Sequence, residues 1–265
     1  MNSNKIIFHH IRNATSKITY NGITFLVDPF LCPKEYYPGF SGAPTLAQKK
    51  QRVPMVELPI SMEEILKNLD AVIVTHTHYD HWDEYAEKLI PKHVPIFVQS
   101  NSDKKLIQRQ GFKDVRVVGD NTPFNGITIT RIGAMHGFDD NCMGFILKAK
   151  GQKTLYETGD TVWHQYVEDA LSKFRPDIVI ISGAYARYEG SSESSMMGPD
   201  DIVQINKRLK DAIIIPVHMD SYPHCTYTTK TMKKWVKEHK LQERVIVPVD
   251  GEIVELIIRY LFYNY

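Results

Sequence analysis

The run Thr75-His76-Thr77-His78-Tyr79-Asp80-His81 sets three imidazoles and a carboxylate within six positions. With 11 His in 265 residues, chance spacing is a poor account of so tight a group. Neutral imidazole and carboxylate are natural ligands for zinc and similar divalent ions. The alternative is a polar loop of solvated histidines. Against it, the group closes Ala71 to Thr75, an almost wholly apolar run of buried-strand type. Ligands at the C-terminal end of a buried strand occupy the place where open α/β sheets bind theirs. If the chain stays extended past the strand, His76 and His78 point the same way. Asp80 and His81 can then face a second ion from the turn into the next helix.

The elements that must position this group are legible around it. Ile6 to Ile11, Lys17 to Tyr20 and Ile23 to Val27 are β-rich, and Asn21-Gly22 predicts a hairpin turn. The stretch from Pro29 to Pro59 is rich in Pro, Gly and Tyr and has no period, which predicts a binding loop or lid over 29–60. Ser61-Met62-Glu63-Glu64 is a capping box opening a short helix. Strand and helix then alternate, with helices over Trp82 to Ile90 and Asp103 to Gln110 and strands over Ile96 to Val98 and Val115 to Val118. Ile127 to Ile132, Gly144 to Ala149 and Lys153 to Tyr156 form a second β block, with turns at Asn125-Gly126 and Gly151. Helices over Trp163 to Lys173, Pro199 to Leu209 and Thr229 to His239 alternate with strands over Ile178 to Ile181, Ala212 to Val217 and Val245 to Val249. A β block followed by strand–helix units, given twice, predicts an α/β fold of two mixed sheets sandwiched between helices. We expect one domain over 1–265.

Composition narrows the partners. Thirty-two Lys and Arg stand against 31 Asp and Glu, so a net charge of +1 offers no footprint for nucleic acid or an anionic membrane. A small anionic substrate remains compatible. Cys32, Cys142 and Cys225 are odd in number and far apart, as expected of reduced thiols. Met1 to Lys5 runs straight into a strand without the apolar core of a signal peptide. The closing Leu256 to Tyr263 is far shorter than the ~20 apolar residues that cross a bilayer. It reads as a last strand or a homo-oligomer contact, and a cytoplasmic location is expected.

The chain resembles the metallo-β-lactamase superfamily. His76, His78, Asp80 and His81 match its HxHxDH motif, and later motifs follow in the family's order. The family expects a third histidine after a strand of the second β block, and His136 in Gly133-Ala134-Met135-His136-Gly137 fits. Thr158-Gly159-Asp160-Thr161 fits the expected Gly-Asp pair, and His218 closes Ile213-Ile214-Ile215-Pro216-Val217 as a final histidine. The resemblance implies a four-layer αβ/βα sandwich. It assigns His76, His78 and His136 to one metal and Asp80, His81 and His218 to a second, with Asp160 bridging. Val27-Asp28-Pro29 matches a family Asp that lies under the site and steadies the metal-binding loop. Arg12-Asn13-Ala14-Thr15 and Leu26-Val27-Asp28-Pro29 resemble the branch that includes ascorbate-6-phosphate lactonase, where several members carry His in place of Asn13. The extra domain of nucleic-acid-processing members is lacking.

Two divalent ions about 3.5–4 Å apart lower the pKa of a bridging water, and the hydroxide attacks carbonyl carbon or phosphorus. The expected reaction is hydrolysis of an ester, lactone or phosphoester bond in a small metabolite, with phosphorylated or carboxylated ones ranked first by the branch resemblance. Zinc suits histidine-rich ligation, and the nearest relatives suggest manganese as the alternative. Catalytic candidates are Asp160, Asp80 and His224, the last a proton donor to the leaving group, a contact for an anionic substrate, or a histidine outside the reaction. Arg187, near Tyr185 and Tyr188, reads as an anion contact or a solvated loop residue. Cys225 reflects proximity to the site, His164 belongs to the following helix, and His9 and His10 are structural. The other function class is a non-catalytic metal-binding or regulatory module, which would be expected to have lost ligands.

Overall fold

The computed structural model describes residues 5–137 and 139–257. Met1–Asn4 and most of the closing apolar segment, Ile258 to Tyr263, lie outside the described residues. The chain opens with an antiparallel meander of β1 (Lys5–Arg12), β2 (Thr15–Tyr20) and β3 (Ile23–Val27). Asn21 and Gly22 take φ of 52° and 79°, the left-handed pair that a two-residue hairpin needs. The connection to β4 (Ala71–Val74) carries α1 (Leu46–Lys50) and α2 (Met62–Leu66). Then come α3 (Glu84–Leu89), β5 (Ile96–Val98), α4 (Asn101–Arg109) and β6 (Val115–Val117). The second half holds β7 (Thr122–Phe124), β8 (Ile127–His136), β9 (Asp139–Ala149) and β10 (Leu155–Glu157). It continues through α5 (Gln165–Phe174), β11 (Ile178–Ser182), α6 (Pro199–Arg208), β12 (Ile213–Val217), α7 (Thr229–Glu238) and β13 (Ile253–Ile257).

Two mixed sheets result, ordered β13-β1-β2-β3-β4-β5-β6 and β12-β11-β10-β9-β8-β7. Each is antiparallel at one end and parallel at the other. Alternation along the strands builds the layers. Ile73, Ile180 and Ile215 join Phe8, Phe25 and Phe145 in the core between the sheets. Val72 and Val74 turn outward to pack with Ile65, Ala86 and Ile107 from α2, α3 and α4. Val179 and Ile214 do the same with Val167, Ile202 and Met232 from α5, α6 and α7. The order helix, sheet, sheet, helix is the four-layer sandwich expected. No helix among the described residues is long and apolar enough to cross a membrane.

The differences from the sequence reading lie at element ends. Helices begin at their caps: Asp83 accepts from the Ala86 amide and Ser100 from Asp103, so α3 starts after Trp82 and α4 starts before Asp103. Strands β8 and β9 run past the glycines and polar residues that suggested earlier ends, and β7 was not foreseen because Pro123 interrupts its pattern. Val245 to Val249 is no strand. Only Val245 bridges to Ile214, since Pro248 has no amide and the Val249 amide turns to the Glu252 side chain. Within 29–60, Thr45 and Gln48 cap α1 reciprocally and Tyr37 pairs with Val53.

Arg12 ties this segment to the sheet. Its guanidinium is fully buried and donates to the carbonyls of Phe30 (2.8 Å), Cys32 (2.9 Å) and Val56 (3.1 Å). It also lies 4.8 Å from the centre of the Phe30 ring. Arg12→Met leaves those carbonyls without a donor and is expected to cost about 3 kcal/mol. The check is a lower urea midpoint at unchanged slope. Arg12→Lys should recover only part, because an ammonium lacks the planar fork.

Candidate metal centre

The site begins with Asp28, which leaves β3 with a left-handed φ of 44° and turns its carboxylate toward the end of β4. Oδ1 accepts from the Thr75 amide at 2.7 Å, while Oδ2 accepts from the Thr75 hydroxyl (2.7 Å) and faces His81 Nδ1 at 2.9 Å. The two parallel strand ends are thereby locked, and His81 presents Nε2 to the opposite side. The second sheet meets the same point, since the Met143 amide donates to the Thr75 carbonyl at 3.1 Å.

The remaining candidates arrive from neighbouring strand ends. His136 closes β8, Asp160 follows β10 and His218 follows β12. Gly159 carries a φ of 61°, and a Cβ there would collide with the Met143 carbonyl, so only glycine brings Asp160 in so close to β9. The His218 amide donates to the Asn13 carbonyl at 2.9 Å, which anchors the end of β12 to the β1–β2 turn.

All seven residues named from the sequence come together. They fall into three overlapping sets: His76, His78 and His136; His76, His81 and Asp160; and Asp80, His81 and His218. Within each set the ligand atoms lie within 4.8 Å of one another. Asp160 Oδ2 sits 3.3 Å from His81 Nε2, 3.4 Å from His218 Nε2 and 3.8 Å from His136 Nε2. Asp80 Oδ2 is 3.2 Å from His218 Nε2. Zinc–ligand bonds of about 2.0–2.1 Å at tetrahedral angles put ligand atoms about 3.4 Å apart. The spacings match that requirement.

Two further observations fit a metal. Three outer nitrogens are already engaged, His81 Nδ1 by Asp28, His136 Nδ1 by the Ser195 carbonyl (3.0 Å) and His76 Nδ1 by the Thr75 hydroxyl (3.2 Å), whereas His218 Nδ1 meets no partner among the described residues. Such outer partners orient the rings so that the inward nitrogens would be the ones offered to a metal. Asp160 Oδ1, although buried, meets no hydrogen-bond partner among the described residues.

Electrostatics point the same way. Burial disfavours charge on His81, yet Asp160, Asp28 and Asp80 outweigh it and push its pKa up to about 10. His218 is likewise driven well up, against burial, by Asp160 and Asp80. Burial and the neighbouring His81 hold His76 well below its ordinary value. Three clustered carboxylates demand positive charge, and protons on His81 and His218 are what the polypeptide alone can supply.

A cavity of ≈ 1020 Å³ opens on this centre. His224 lines it, 7% exposed, with its ring centroid 4.6 Å from Phe40 and 5.6 Å from Tyr188. Burial lowers its pKa to about 4, so the ring is neutral near pH 7. The 29–60 segment supplies Tyr37 and Phe40 to the wall. It is latched by Gln48 on the Pro223 carbonyl, by the Met55 amide on the Ser221 carbonyl and by a Lys49–Glu189 ion pair.

Other candidates fall elsewhere. Arg187 is exposed over the Tyr185 ring and does not line the cavity. His164 caps α5, and His10 pairs with Asp250 at 3.3 Å. Cys225 points its thiol at the His218 carbonyl, 3.7 Å away. The sequence reading missed Tyr79, Tyr188 and Tyr222 as cavity walls, together with the Asn13 amide, which lies 3.4 Å from His218 Nε2. Only the density of aromatics near the motif residues hinted at the walls.

Residues 24–219 match the family described as Beta-lactamase superfamily domain. The UPF0173 protein YddR of Bacillus subtilis is 36% identical over 249 residues, covering 91% of this chain and 96% of its own. The crystal structure of a possible metal-dependent hydrolase from Veillonella parvula is 44% identical with a TM-score of 0.90, covering 94% of this chain and 98% of that one. That of an isothiocyanate hydrolase from Delia radicum gut bacteria is 36% identical with a TM-score of 0.88 and the same coverage. With its four-layer sandwich and its cluster of candidate ligands, the chain belongs to the metallo-β-lactamase superfamily of metal-dependent hydrolases.

Proposed function

We propose that the protein is a dinuclear hydrolase of small molecules, acting within one domain whose 29–60 segment is the lid. The observation that carries this is the convergence of five imidazoles and two carboxylates, with the outer nitrogens of His76, His81 and His136 committed to other partners. His76, His78 and His136 would hold one ion and Asp80, His81 and His218 the other, with Asp160 available to both. Histidine-rich ligation favours zinc, with manganese the alternative. Divalent ions at these residues would lower the pKa of a bound water toward neutrality and provide Lewis-acid polarisation of the attacked group.

The chain's own residues do the rest. Asp28 fixes His81, Asp160 and Asp80 orient the attacking water, and the lid with Phe40 and Tyr37 excludes bulk solvent. With an ester or lactone, the water oxygen joins the acyl carbon, the C–O bond breaks and the departing oxygen takes the proton. Neutral His224 lies beside that point as a proton carrier. A phosphoester follows the same balance at phosphorus, and the likeness to an isothiocyanate hydrolase adds that class to the substrates worth trying. A metal-binding module without turnover is the second reading, favoured only if a fully loaded protein hydrolyses nothing.

Reconstituted protein is expected to carry two divalent ions by mass spectrometry and to turn over a member of a panel of lactones, aryl esters, phosphodiesters and isothiocyanates. Asp160→Asn should lower kcat at least 100-fold and reduce bound metal. Retained turnover would assign the activity to a contaminant. Because His81 and His218 hold protons in the metal-free state, metal binding at pH 7 should release about two protons. Calorimetry in buffers of different ionisation enthalpy measures this, and no release would contradict the ligand set. The metal-free fold resists a proton on His224 down to about 4, whereas the unfolded chain accepts one near 6.5. Stability present above that value is therefore lost as pH falls through this window. His224→Phe should flatten that part of the profile in urea titrations.

A further inference from the structure

We propose that the substrate portion remote from the reacting bond is a flat, uncharged aromatic or apolar group, and that an anionic group there is rejected. This rests on the dinuclear reading and adds the chemical class of what the cavity takes. The cavity is lined by residues of the candidate metal centre and also by Glu84 and Glu87 of α3, Leu106 of α4 and Gln110 just after it. Phe40, Tyr188 and His224 also line it, with ring centroids 4.6–5.7 Å apart. Tyr37 stacks on Tyr79 at 5.4 Å. Rings so grouped suit stacking on a flat partner.

Among the described residues the lining contains no Lys or Arg. Asp83 is consumed by the amides of Leu31, Cys32 and Ala86. Glu84 is tied to the Tyr36 hydroxyl and to Lys88. Glu87 enters no ion pair among the described residues, although Lys92 donates to its backbone carbonyl, so its carboxylate is the least compensated charge that α3 adds to the lining. An anion can approach the cations at the metal end, but a second one carried on the far side of the ring meets no Lys or Arg in the lining and the carboxylate of Glu87. Arg187, the residue that could have received a phosphate or carboxylate, lies outside this lining.

Calorimetry on zinc-loaded full-length protein tests this with hydroxamates, which place a chelating head on the ions and a chosen group beyond it. The probes are 4-carbamoylbenzohydroxamate, 4-carboxybenzohydroxamate and acetohydroxamate. The carbamoyl compound is expected to bind at least about tenfold more tightly than the near-isosteric carboxylate, and more tightly than acetohydroxamate. The first gap should narrow in ~0.5 M salt and narrow at least about threefold in Glu87→Gln. Equal affinity, a preference for the carboxylate, or no gain from the ring would overturn the proposal while leaving the dinuclear reading intact. A protein that takes up no zinc overturns that reading instead, and this proposal with it.

Discussion

A carboxylate withdrawn from water is stable only if every lone pair it exposes finds a donor or a cation. Asp28 meets that demand with the Thr75 amide, the Thr75 hydroxyl and His81. In doing so it fixes the end of β4 against the end of β3, which sets the course of the chain from His76 to His81. Its backbone carbonyl accepts from the Thr15 hydroxyl, and that hydroxyl oxygen accepts in turn from the Phe30 amide. The first turn of the 29–60 segment is thus held by the same knot. Asp160 and Asp80 pose the demand a second time a few ångströms away, where no comparable set of amides exists. Fold stability and cation binding are two answers to one electrostatic requirement.

The two sheets divide the labour. The first contributes the motif after β4, and the second contributes His136, Asp160 and His218 from three different strand ends. Their meeting depends on short backbone links: Met143 to Thr75, His218 to Asn13, and Val162 to Met135 at 2.8 Å. Each link joins segments far apart in sequence, so the cluster exists only once the sandwich has closed. Arg12, buried under the 29–60 segment, extends the arrangement by holding three carbonyls that would otherwise lie in an apolar layer.

What the sequence revealed follows from what kind of signal each feature leaves. Apolar runs such as Ala71 to Val74 and Ile178 to Ile181 are buried on both faces, and their uninterrupted composition marks them. The seven candidate ligands carry rare side chains at strand ends, and the resemblance supplied their order. Element ends were less legible because caps such as Ser100 and Asp83 act through single hydrogen bonds. Val245 to Val249 failed for a similar reason: Pro248 denies it an amide that composition does not weigh. The cavity walls were hidden more deeply. Tyr79, Tyr188 and Tyr222 become walls of one cavity only through loop paths, and nothing in their local spacing encodes that.

The 29–60 segment and the candidate ligand cluster are held by contacts of very different character. The cluster is knit by buried hydrogen bonds that tolerate little change, whereas the segment's outer edge rests on Gln48, Lys49 and the Met55 amide. Sequence drift can therefore proceed at two speeds within one molecule. Replacing the crown of the 29–60 segment alters the walls of the cavity without disturbing the ligands beneath it. A lineage built this way can sample new molecules to act upon while its chemistry stays fixed, and recombination of that one stretch between relatives is the shortest path to a changed diet of substrates.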